Sequence, residues 1–433
     1  MYLSWIGIIR LGFVQMALGS LVSIAASTYN RVMVVELSML QIIPGLLLAL
    51  HYFIQISRPN WGFLSDKGGN RTFWIAIGII ILCLGSILAC VGIMLIPFNY
   101  LLGLVLSIIA YSLIGIGVGA SGTSLLAFLA TRTDHNRKAA AATITWIMMI
   151  FGAAFTAILV GKIIDPYSIE KLLKIVGFMS LFWICTTLIT LYKLESNYKQ
   201  KTFDTSQPDP VTFFNGLKQI LLEQNTRWFT IFVFLSMTAY FMQEPILEPY
   251  AGLIFKFSVG ESTQLTGYHQ SGILLGMLVV GFLVTGIKLG SLRFWVLFGC
   301  FGSGSTLILI AILGQISISK DALKYSVALL GFFNGNFAVG AIGSMMELAG
   351  NGIKKREGTR MGLWGAGQAV AAGNAMIFST LFVDVLQSFT NNAAFSYGII
   401  FTIEGILFLA SAILATKLIS IPAKAQNLSY SGS

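Results

Sequence analysis

Charged residues are scarce in this chain, because only 10% of its 433 residues are Asp, Glu, Lys or Arg, whereas 56% are apolar. This ratio excludes the two or three soluble domains that the length alone would suggest. Apolar stretches recur along the whole sequence. Each has about 18 or more residues, which is enough to cross the hydrocarbon core of a bilayer as a helix. We therefore predict an all-α, polytopic membrane protein.

Two kinds of chemical site are also missing. The four cysteines, Cys83, Cys90, Cys185 and Cys300, fall inside apolar runs without a C-x-x-C pair. We expect them to be small core residues rather than a disulfide or metal-binding set. No H-E-x-x-H, G-x-S-x-G, Walker A or dinucleotide-binding motif occurs in a usable context. We predict that the protein is not an enzyme.

Twelve apolar runs are present, and they form two sets of six. They cover approximately residues 11–29, 40–56, 73–95, 100–123, 139–163 and 172–192, then 228–248, 267–285, 294–315, 325–348, 361–384 and 397–415. The polar stretch 193–227 separates the sets, and apolar residues at helical spacing within it predict an interfacial helix. We predict two six-helix halves, 1–192 and 228–418, followed by a cytoplasmic tail, 419–433.

The distribution of basic residues predicts the orientation. If both termini are cytoplasmic, that side of the membrane holds 20 of the 27 Lys and Arg residues and the other side holds seven. Lys and Arg accumulate in the cytoplasmic loops of membrane proteins. We therefore predict cytoplasmic termini, and the net charge of +10 requires no nucleic-acid partner.

A glycine-rich polar turn, GFLSDKGGNR at residues 62–71, lies between the second and third runs. Its G-x-x-x-D-K-x-G-x-R pattern resembles the signature between helices two and three of the major facilitator superfamily. That resemblance implies a twelve-helix fold with a cavity between two halves. Gly62 and Gly69 allow a tight reversal, and Asp66 would favour the N-terminal end of the next helix. We expect Asp66, Lys67 and Arg71 to hold the N-terminal half in one conformation.

Two features of proton-coupled exporters of that superfamily are absent. The fourth run has no Lys or Arg before Arg132, and the fifth run has no proline. These absences count against a proton/drug antiporter, but they leave a uniporter open.

Ionisable residues at membrane depth are few, and each is energetically unfavourable there. Glu404 in the twelfth run is the clearest case, and a structural hydrogen-bonded acid and a functional acid are equally compatible with its position. Glu244 and Glu248 lie beside prolines that we expect to break or end the seventh helix. Arg31 and Glu36, between the first two runs, are spaced to pair locally.

Four stretches resemble the PucC-type, bacteriochlorophyll-delivery family of the major facilitator superfamily. The first is YNRVMVVEL at 29–37, which contains Asn30, Arg31 and Glu36 and is similar to the family's N-R-V-M-I-V-E-L segment. The others are QEPILEPYAG at 243–252, which contains Glu244, Glu248, Pro249 and Tyr250, NGNFAVG at 334–340, and GLWGAGQAVAAG at 362–373. They extend over nearly the whole chain in the family's order.

This resemblance implies an assembly factor that binds chlorophyll or bacteriochlorophyll and passes it to nascent antenna or photosystem polypeptides. Pigment-synthesis enzymes are further expected partners. The expected location is the thylakoid, intracytoplasmic or plasma membrane of a photosynthetic bacterium. The pair Glu244-Pro245 departs from the Asp-containing stretch expected in purple-bacterial members, so the pigment itself stays open.

Side chains that could bind the Mg²⁺ of such a pigment are few. This ion takes hard oxygen donors or an imidazole as an axial ligand. The candidates at membrane depth are His269, Gln270, His51, Gln368, Asn374, Asn334, Asn336, Gln41 and Gln15. His269 is the first choice and His51 the second, while Asn30 and Glu248 join the set through the family motifs. An inter-helix hydrogen bond is the competing interpretation for each.

Two other functions remain open on the sequence. A secondary transporter would move a small amphiphilic solute by alternating access, with Glu404 or Glu244 as a proton site. A scaffold with the transporter fold would instead bind only partner proteins.

Overall fold

Helices make up all regular structure in the part of the chain that the computed structural model describes, which is residues 2–58, 60, 61, 64, 70–134, 137–195, 224–287, 289–316, 319–350 and 357–418. Eleven of these helices are long and apolar enough to cross a membrane, and one shorter apolar helix lies where the second run was predicted. The predicted all-α, membrane-spanning fold class is therefore confirmed.

The first six helices follow the predicted order. They are α1 (Trp5–Glu36), α2 (Ile42–Ser57), α3 (Arg71–Leu95), α4 (Tyr100–Arg132), α5 (Lys138–Ile164) and α6 (Ile169–Leu191). The last turn of α1, Val32–Glu36, is π-helical. This turn contains much of the first family-like stretch.

The second six helices begin with one that is broken. α7 consists of two segments, Gln224–Met242 and Leu247–Phe255. It is followed by α8 (Val259–Phe282), α9 (Leu292–Ile316), α10 (Lys320–Gly350), α11 (Glu357–Thr390) and α12 (Ala393–Leu418). The predicted interfacial helix lies in 196–223, outside the described residues, so the boundaries of the two halves stay a prediction.

Polar side chains at the loop ends start several helices, which limits each apolar run to one span. Asn99 accepts a hydrogen bond from the backbone N–H of Leu102 (3.1 Å) at the start of α4. At the start of α8, Ser258 accepts from the N–H of Glu261 (3.1 Å), and the Glu261 carboxylate accepts from the N–H of Ser258 (2.9 Å). This reciprocal pair is a capping box, which satisfies donors that the helix itself leaves free.

Two apolar cores form inside the bundle. One is built mainly by α1–α6, with side chains such as Leu82 and Phe128, and the other by α7–α12, with Phe337 and Phe408. The two sets of helices meet where α2 packs against α11 and α5 packs against α8. A Cβ atom added at Gly161 of α5 would lie 2.6 Å from the carbonyl oxygen of residue 260 in α8, so the backbones touch.

The cysteines are all free. Cys83, Cys90 and Cys300 are buried, as predicted for core residues. Cys185 is exposed on α6, which corrects the expectation that all four are core residues. A small thiol is tolerated on a bilayer-facing helix surface, so an apolar run alone does not distinguish the two positions.

The predicted superfamily turn is only partly described, because Gly62, Asp66, Lys67 and Gly69 lie outside the described residues. Arg71 begins α3, and its guanidinium donates to the backbone oxygen of Ala127 in α4 (2.8 Å) and to the hydroxyl of Thr131. Arg71 thus joins α3 to α4, within the N-terminal set.

Two described residues cap the N-terminal end of α3, whereas the predicted Asp66 lies outside the described part of the chain. The Asn70 side chain accepts from the N–H of Phe73 (3.3 Å), and the Glu195 carboxylate accepts from the N–H groups of Arg71 (3.1 Å) and Thr72 (3.0 Å). An anion is favoured at this end, as expected. Among the described residues this anion is the Glu195 carboxylate, in the turn after α6. A partner so distant in the chain cannot be predicted from the local sequence pattern.

Glycines set the close approach of α3 to α4. They recur every seventh residue, at Gly78, Gly85 and Gly92, and each faces α4. A Cβ atom at Gly78 would lie 2.5 Å from the backbone nitrogen of Ser121. Because backbone atoms cannot move aside cheaply, these positions require the absence of a side chain.

We predict that Gly78→Ala destabilises the protein by about 1–3 kcal/mol, because the added methyl group overpacks the helix contact. The measurement is the thermal unfolding midpoint in mild detergent. Gly177→Ala on α6 is the matched control, since a Cβ atom there meets nothing within 4 Å. Equal midpoints for the two variants would contradict the packing assignment.

Candidate functional site: a polar seam between the two sets of helices

The break in α7 lies at residues 243–246, as the prolines predict. In a continuous helix the carbonyl of Pro245 would accept from the N–H of residue 249, but Pro249 has no N–H. The Pro245 carbonyl oxygen therefore lacks a helical partner. It accepts instead from the side-chain amide of Gln41 (2.6 Å) and from that of Asn30. Two residues of the N-terminal set thus bind one backbone oxygen of the C-terminal set.

Arg31 reaches across the same junction. It is buried and forms the predicted ion pair with Glu36. Its guanidinium also donates to the backbone oxygen of Phe257, between α7 and α8 (2.9 Å). At Gly252 of α7, a Cβ atom would lie 3.3 Å from Arg31 Nε, so the arginine lies against a helix surface without a side chain.

Glu248 is the buried acid of this junction, with an exposed fraction of 1%. It accepts a hydrogen bond from the hydroxyl of Thr266 in α8 (2.5 Å). The family-like stretches 29–37 and 243–252 contact each other through the Pro245 carbonyl oxygen. Their residues form one interhelical structure rather than two separate motifs.

Two carboxylates complete the junction in a reciprocal way. Asp384 of α11 accepts from the N–H groups of Gln41 (3.0 Å) and Ile42 (2.8 Å), at the start of α2. Asp165, after α5, accepts from the N–H of Gly260 (3.0 Å), at the start of α8. Each set of helices thus supplies an acid to a helix N-terminus of the other, where negative charge is favoured. We call these contacts, with those of Asn30, Arg31, Gln41, Pro245 and Glu248, the clasp.

A second polar group lies along the seam beyond the clasp. The hydroxyl of Tyr52 in α2 donates to the Glu244 carboxylate at the break in α7 (2.8 Å). The ring centroids of Phe241 and Tyr52 lie 5.2 Å apart, as do those of Phe241 and Tyr240. All four side chains are partly exposed although they lie between α2 and α7. We call these four residues the seam site.

His269, the first predicted pigment ligand, is buried in the C-terminal set. Its Nε2 atom lies 3.3 Å from the amide nitrogen of Gln243 and 3.2 Å from that of Asn334. The hydroxyl of Ser303 donates to the other side of Asn334 (2.7 Å). The structure thus brings together two predicted residues, His269 and Asn334, in an inter-helix hydrogen-bond network.

His51, the second choice, is also buried, with an exposed fraction of 3%. Its Nε2 atom lies 3.0 Å from the amide nitrogen of Gln55, and the amide oxygen of Gln55 accepts from the guanidinium of Arg58. An axial ligand of a tetrapyrrole metal needs an open approach for a large planar ring. Neither histidine has one in this conformation, so both roles remain predictions.

The other predicted residues lie apart from one another. Gln270 and Gln368 are half-buried, Asn30 is buried in the clasp, Gln15 and Asn336 are buried, and Asn374 is exposed on α11. Glu404 is fully buried, and neither of its carboxylate oxygens has a hydrogen-bond partner among the described residues. A large ligand has no access to Glu404.

The residue types of the seam site can be compared with what a chlorophyll-type pigment, expected from the resemblance, would contact. The Glu244 carboxylate is a hard oxygen donor of the kind that Mg²⁺ prefers, and it is partly exposed. Tyr52 and Tyr240 carry hydroxyl groups that can donate to carbonyl substituents. Phe241 presents an aromatic surface between them. The residues present therefore fit such a group.

Comparison with known proteins identifies the family. The sequence model for the PUCC protein family matches residues 28–422. The chain belongs to the PucC family. One relative, the "Bacteriochlorophyll synthase 44.5 kDa chain" of Rhodobacter capsulatus, is 48% identical over 97% of each chain. "Protein PucC" of Cereibacter sphaeroides is 26% identical over 94% of this chain and 91% of that protein.

Solved structures show the fold. A peptide transporter superposes on 95% of this chain and 95% of its own, with a TM-score of 0.70 and 13% identity. The nucleoside transporter NupG covers 96% of this chain and 100% of its own, with a TM-score of 0.69 and 13% identity. This PucC-family chain therefore has the predicted transporter-like fold. At 13% identity the likeness shows the fold alone and says nothing about function.

Sequence reasoning missed several residues of the seam. Tyr52 had no role in it, Gln243 appeared only as the first residue of a family-like stretch, Asp384 was noted only as the end of a run, and Asp165 was not considered. Their partners are distant in the chain, 343 residues away for Asp384 and Gln41. The prolines at 245 and 249, which predict the break in α7, were the only local signal.

We predict that Arg31→Met destabilises the protein by about 1–3 kcal/mol, because it removes the donor to the Phe257 carbonyl oxygen and the cation paired with Glu36. The double variant Arg31→Met/Glu36→Gln should recover part of that loss, because it removes the carboxylate left without its partner. The measurement is again the unfolding midpoint in detergent.

Lys324→Met provides the control for this prediction. Lys324 pairs with Asp321, whose side chain is 70% exposed, so its loss should change stability by only about 0–1 kcal/mol. Equal effects of Arg31→Met and Lys324→Met, or no recovery in the double variant, would contradict the assigned interaction.

Proposed function

We propose that the protein binds a chlorophyll-type pigment at the seam site and passes it to membrane polypeptides of an antenna or photosystem. The observation that carries this proposal is the partly exposed Tyr52–Glu244 pair between α2 and α7. Membership of the PucC family supports it, as does the bacteriochlorophyll-related name of the 48% identical relative.

Each residue of the seam site has a distinct part in this proposal. A bound chlorophyll supplies a light-absorbing tetrapyrrole and its Mg²⁺. Glu244 would hold the metal side of the pigment, and the Tyr52 hydroxyl fixes the orientation of that carboxylate. Phe241 and Tyr240 offer apolar surface and exclude water. The clasp closes one end of the seam, so the pigment would enter and leave from the bilayer or from the other end.

A carrier accounts for this arrangement better than a catalyst does. The seam site combines one carboxylate with aromatic side chains, which suits binding and orientation. We infer that the termini are cytoplasmic, because that orientation places most of the basic residues on the cytoplasmic side. Nascent antenna or photosystem polypeptides would receive the pigment, and pigment-synthesis enzymes would supply it.

The direct test is an absorption spectrum of the protein purified in mild detergent from a pigment-producing host. We expect the wild-type protein to carry pigment and Glu244→Leu to retain less than about a tenth as much, which corresponds to about 1.4 kcal/mol of lost binding. Tyr52→Phe should give an intermediate loss, since the carboxylate remains but is no longer oriented.

Asp321→Asn is the control for the pigment test, because this acid is exposed and distant in sequence from the seam. It should carry the wild-type amount of pigment. A colourless wild-type preparation, or full pigment content in Glu244→Leu, would refute the proposed site, provided that unfolding midpoints show the variants to be folded.

Secondary transport is the second candidate function, and Glu404 favours it. An acid that is fully buried at membrane depth without a hydrogen-bond partner among the described residues is a functional candidate by default. A proton bound there would neutralise it. In this alternative the transporter-like helices move a small amphiphilic solute with coupled protons.

We predict, for this alternative, that Glu404→Gln abolishes proton movement coupled to solute uptake. Vesicles containing the protein and the pH-sensitive dye pyranine would be challenged with a panel of amphiphilic solutes. Glu261→Gln is the control, because this partly exposed acid caps the start of α8. Unchanged coupled proton movement in Glu404→Gln would remove Glu404 from the role.

A further inference from the structure

Asn374 lies near the middle of α11, and its side chain is exposed. α11 has 34 residues and is about 50 Å long, so its middle lies within the hydrocarbon core. Large apolar side chains of α11 are exposed on the same face, namely Phe378, Leu381, Phe382 and Val385. This spacing of four, seven, eight and eleven residues from Asn374 is that of one helix face.

The other faces of α11 are covered by protein. Gly373 contacts Phe53, and Thr380 contacts Gly45, both on α2. Ala371 and Ala375 belong to the core of the C-terminal set. The face that carries Asn374 is therefore the one that the bundle leaves to the bilayer.

The amide of Asn374 has no hydrogen-bond partner among the described residues. Nearby hydroxyl groups are satisfied by their own helix, as when Ser379 donates to the carbonyl of Ala375 (2.8 Å). An unpaired amide in hydrocarbon is unfavourable by several kcal/mol, and lipid tails cannot satisfy it. The exposed position therefore indicates a polar partner within the membrane.

A glycine lies two turns before the amide on the same face. Gly367 precedes Asn374 by seven residues, and a Cβ atom at Gly367 would meet nothing within 4 Å. Its missing side chain lets a second helix approach closely, which brings an interhelical hydrogen bond within reach. Val370, one turn before the amide, is only half-buried. On the other side of the amide the rings of Phe378 and Phe382, 4.3 Å apart, offer apolar contact area.

We propose that α11 packs against α11 of a second copy of this chain, with the two Asn374 side chains hydrogen-bonded to each other. Two copies inserted with the same topology are related by an axis along the membrane normal, so their α11 helices run parallel. At the crossing point a residue then meets itself. An asparagine amide satisfies that arrangement, because it carries both a donor and an acceptor.

This surface is distinct from the seam site, so the proposal does not depend on the proposed function. Tyr52 and Glu244 lie between α2 and α7, whereas Asn374 faces away from the bundle.

The first test measures dimerisation by single-molecule photobleaching of labelled protein in vesicles, over a series of protein-to-lipid ratios. We expect a dimer for the wild type and about three- to thirtyfold weaker association for Asn374→Leu. Ser305→Leu is the matched control, because Ser305 is an exposed polar residue on α9. It should associate as the wild type does.

The second test uses disulfide formation in a variant in which the four native cysteines are replaced by serine. Gly367→Cys should give a covalent dimer under mild oxidation, whereas Gly177→Cys, on the open face of α6, should not. A wild-type monomer at every protein density would overturn the proposal, as would equal cross-linking at both positions. A monomer that binds a different polypeptide through Asn374 would overturn it too.

Discussion

The backbone carbonyl of Pro245 joins the two sets of helices, because no backbone N–H is available to it at position 249. Pro249 stands where that donor would be, so the oxygen accepts from Asn30 and Gln41 instead. Side chains on either side of this carbonyl then diverge, with Glu244 in the seam and Glu248 against Thr266. One interruption of α7 thus positions both the clasp and the seam site.

The clasp and the seam site differ in how firmly they hold the two sets of helices together. Charge-assisted contacts to helix N-termini close one end of the junction. Asp384 of α11 binds the start of α2, and Asp165, after α5, binds the start of α8. Further along the seam, α2 and α7 meet through partly exposed groups, in the Tyr52–Glu244 hydrogen bond and the ring contact of Tyr52 with Phe241. A bundle held firmly at one end can open elsewhere without losing its core. That property suits a carrier in which a large apolar ligand enters from the membrane.

Features with local causes could be predicted from the sequence. Apolar run length predicted the helices, the prolines predicted the break in α7, and five-residue spacing predicted the Arg31–Glu36 pair. Features that depend on distant partners could not. Glu195 caps α3 at Arg71, which is 124 residues away in the chain. The contacts of His269 with the amides of Gln243 and Asn334 could not be predicted, because the burial of a single histidine cannot be inferred from its neighbours in the chain.

Electron cryomicroscopy of the protein purified with its pigment tests the central claim most directly, because it locates the bound group without a functional assay. The account predicts tetrapyrrole density in the seam between α2 and α7, in contact with Glu244 and flanked by Tyr52 and Phe241. Clear pigment density elsewhere, against His269 within the C-terminal set or on the outer face of α11, with the seam closed, would contradict it.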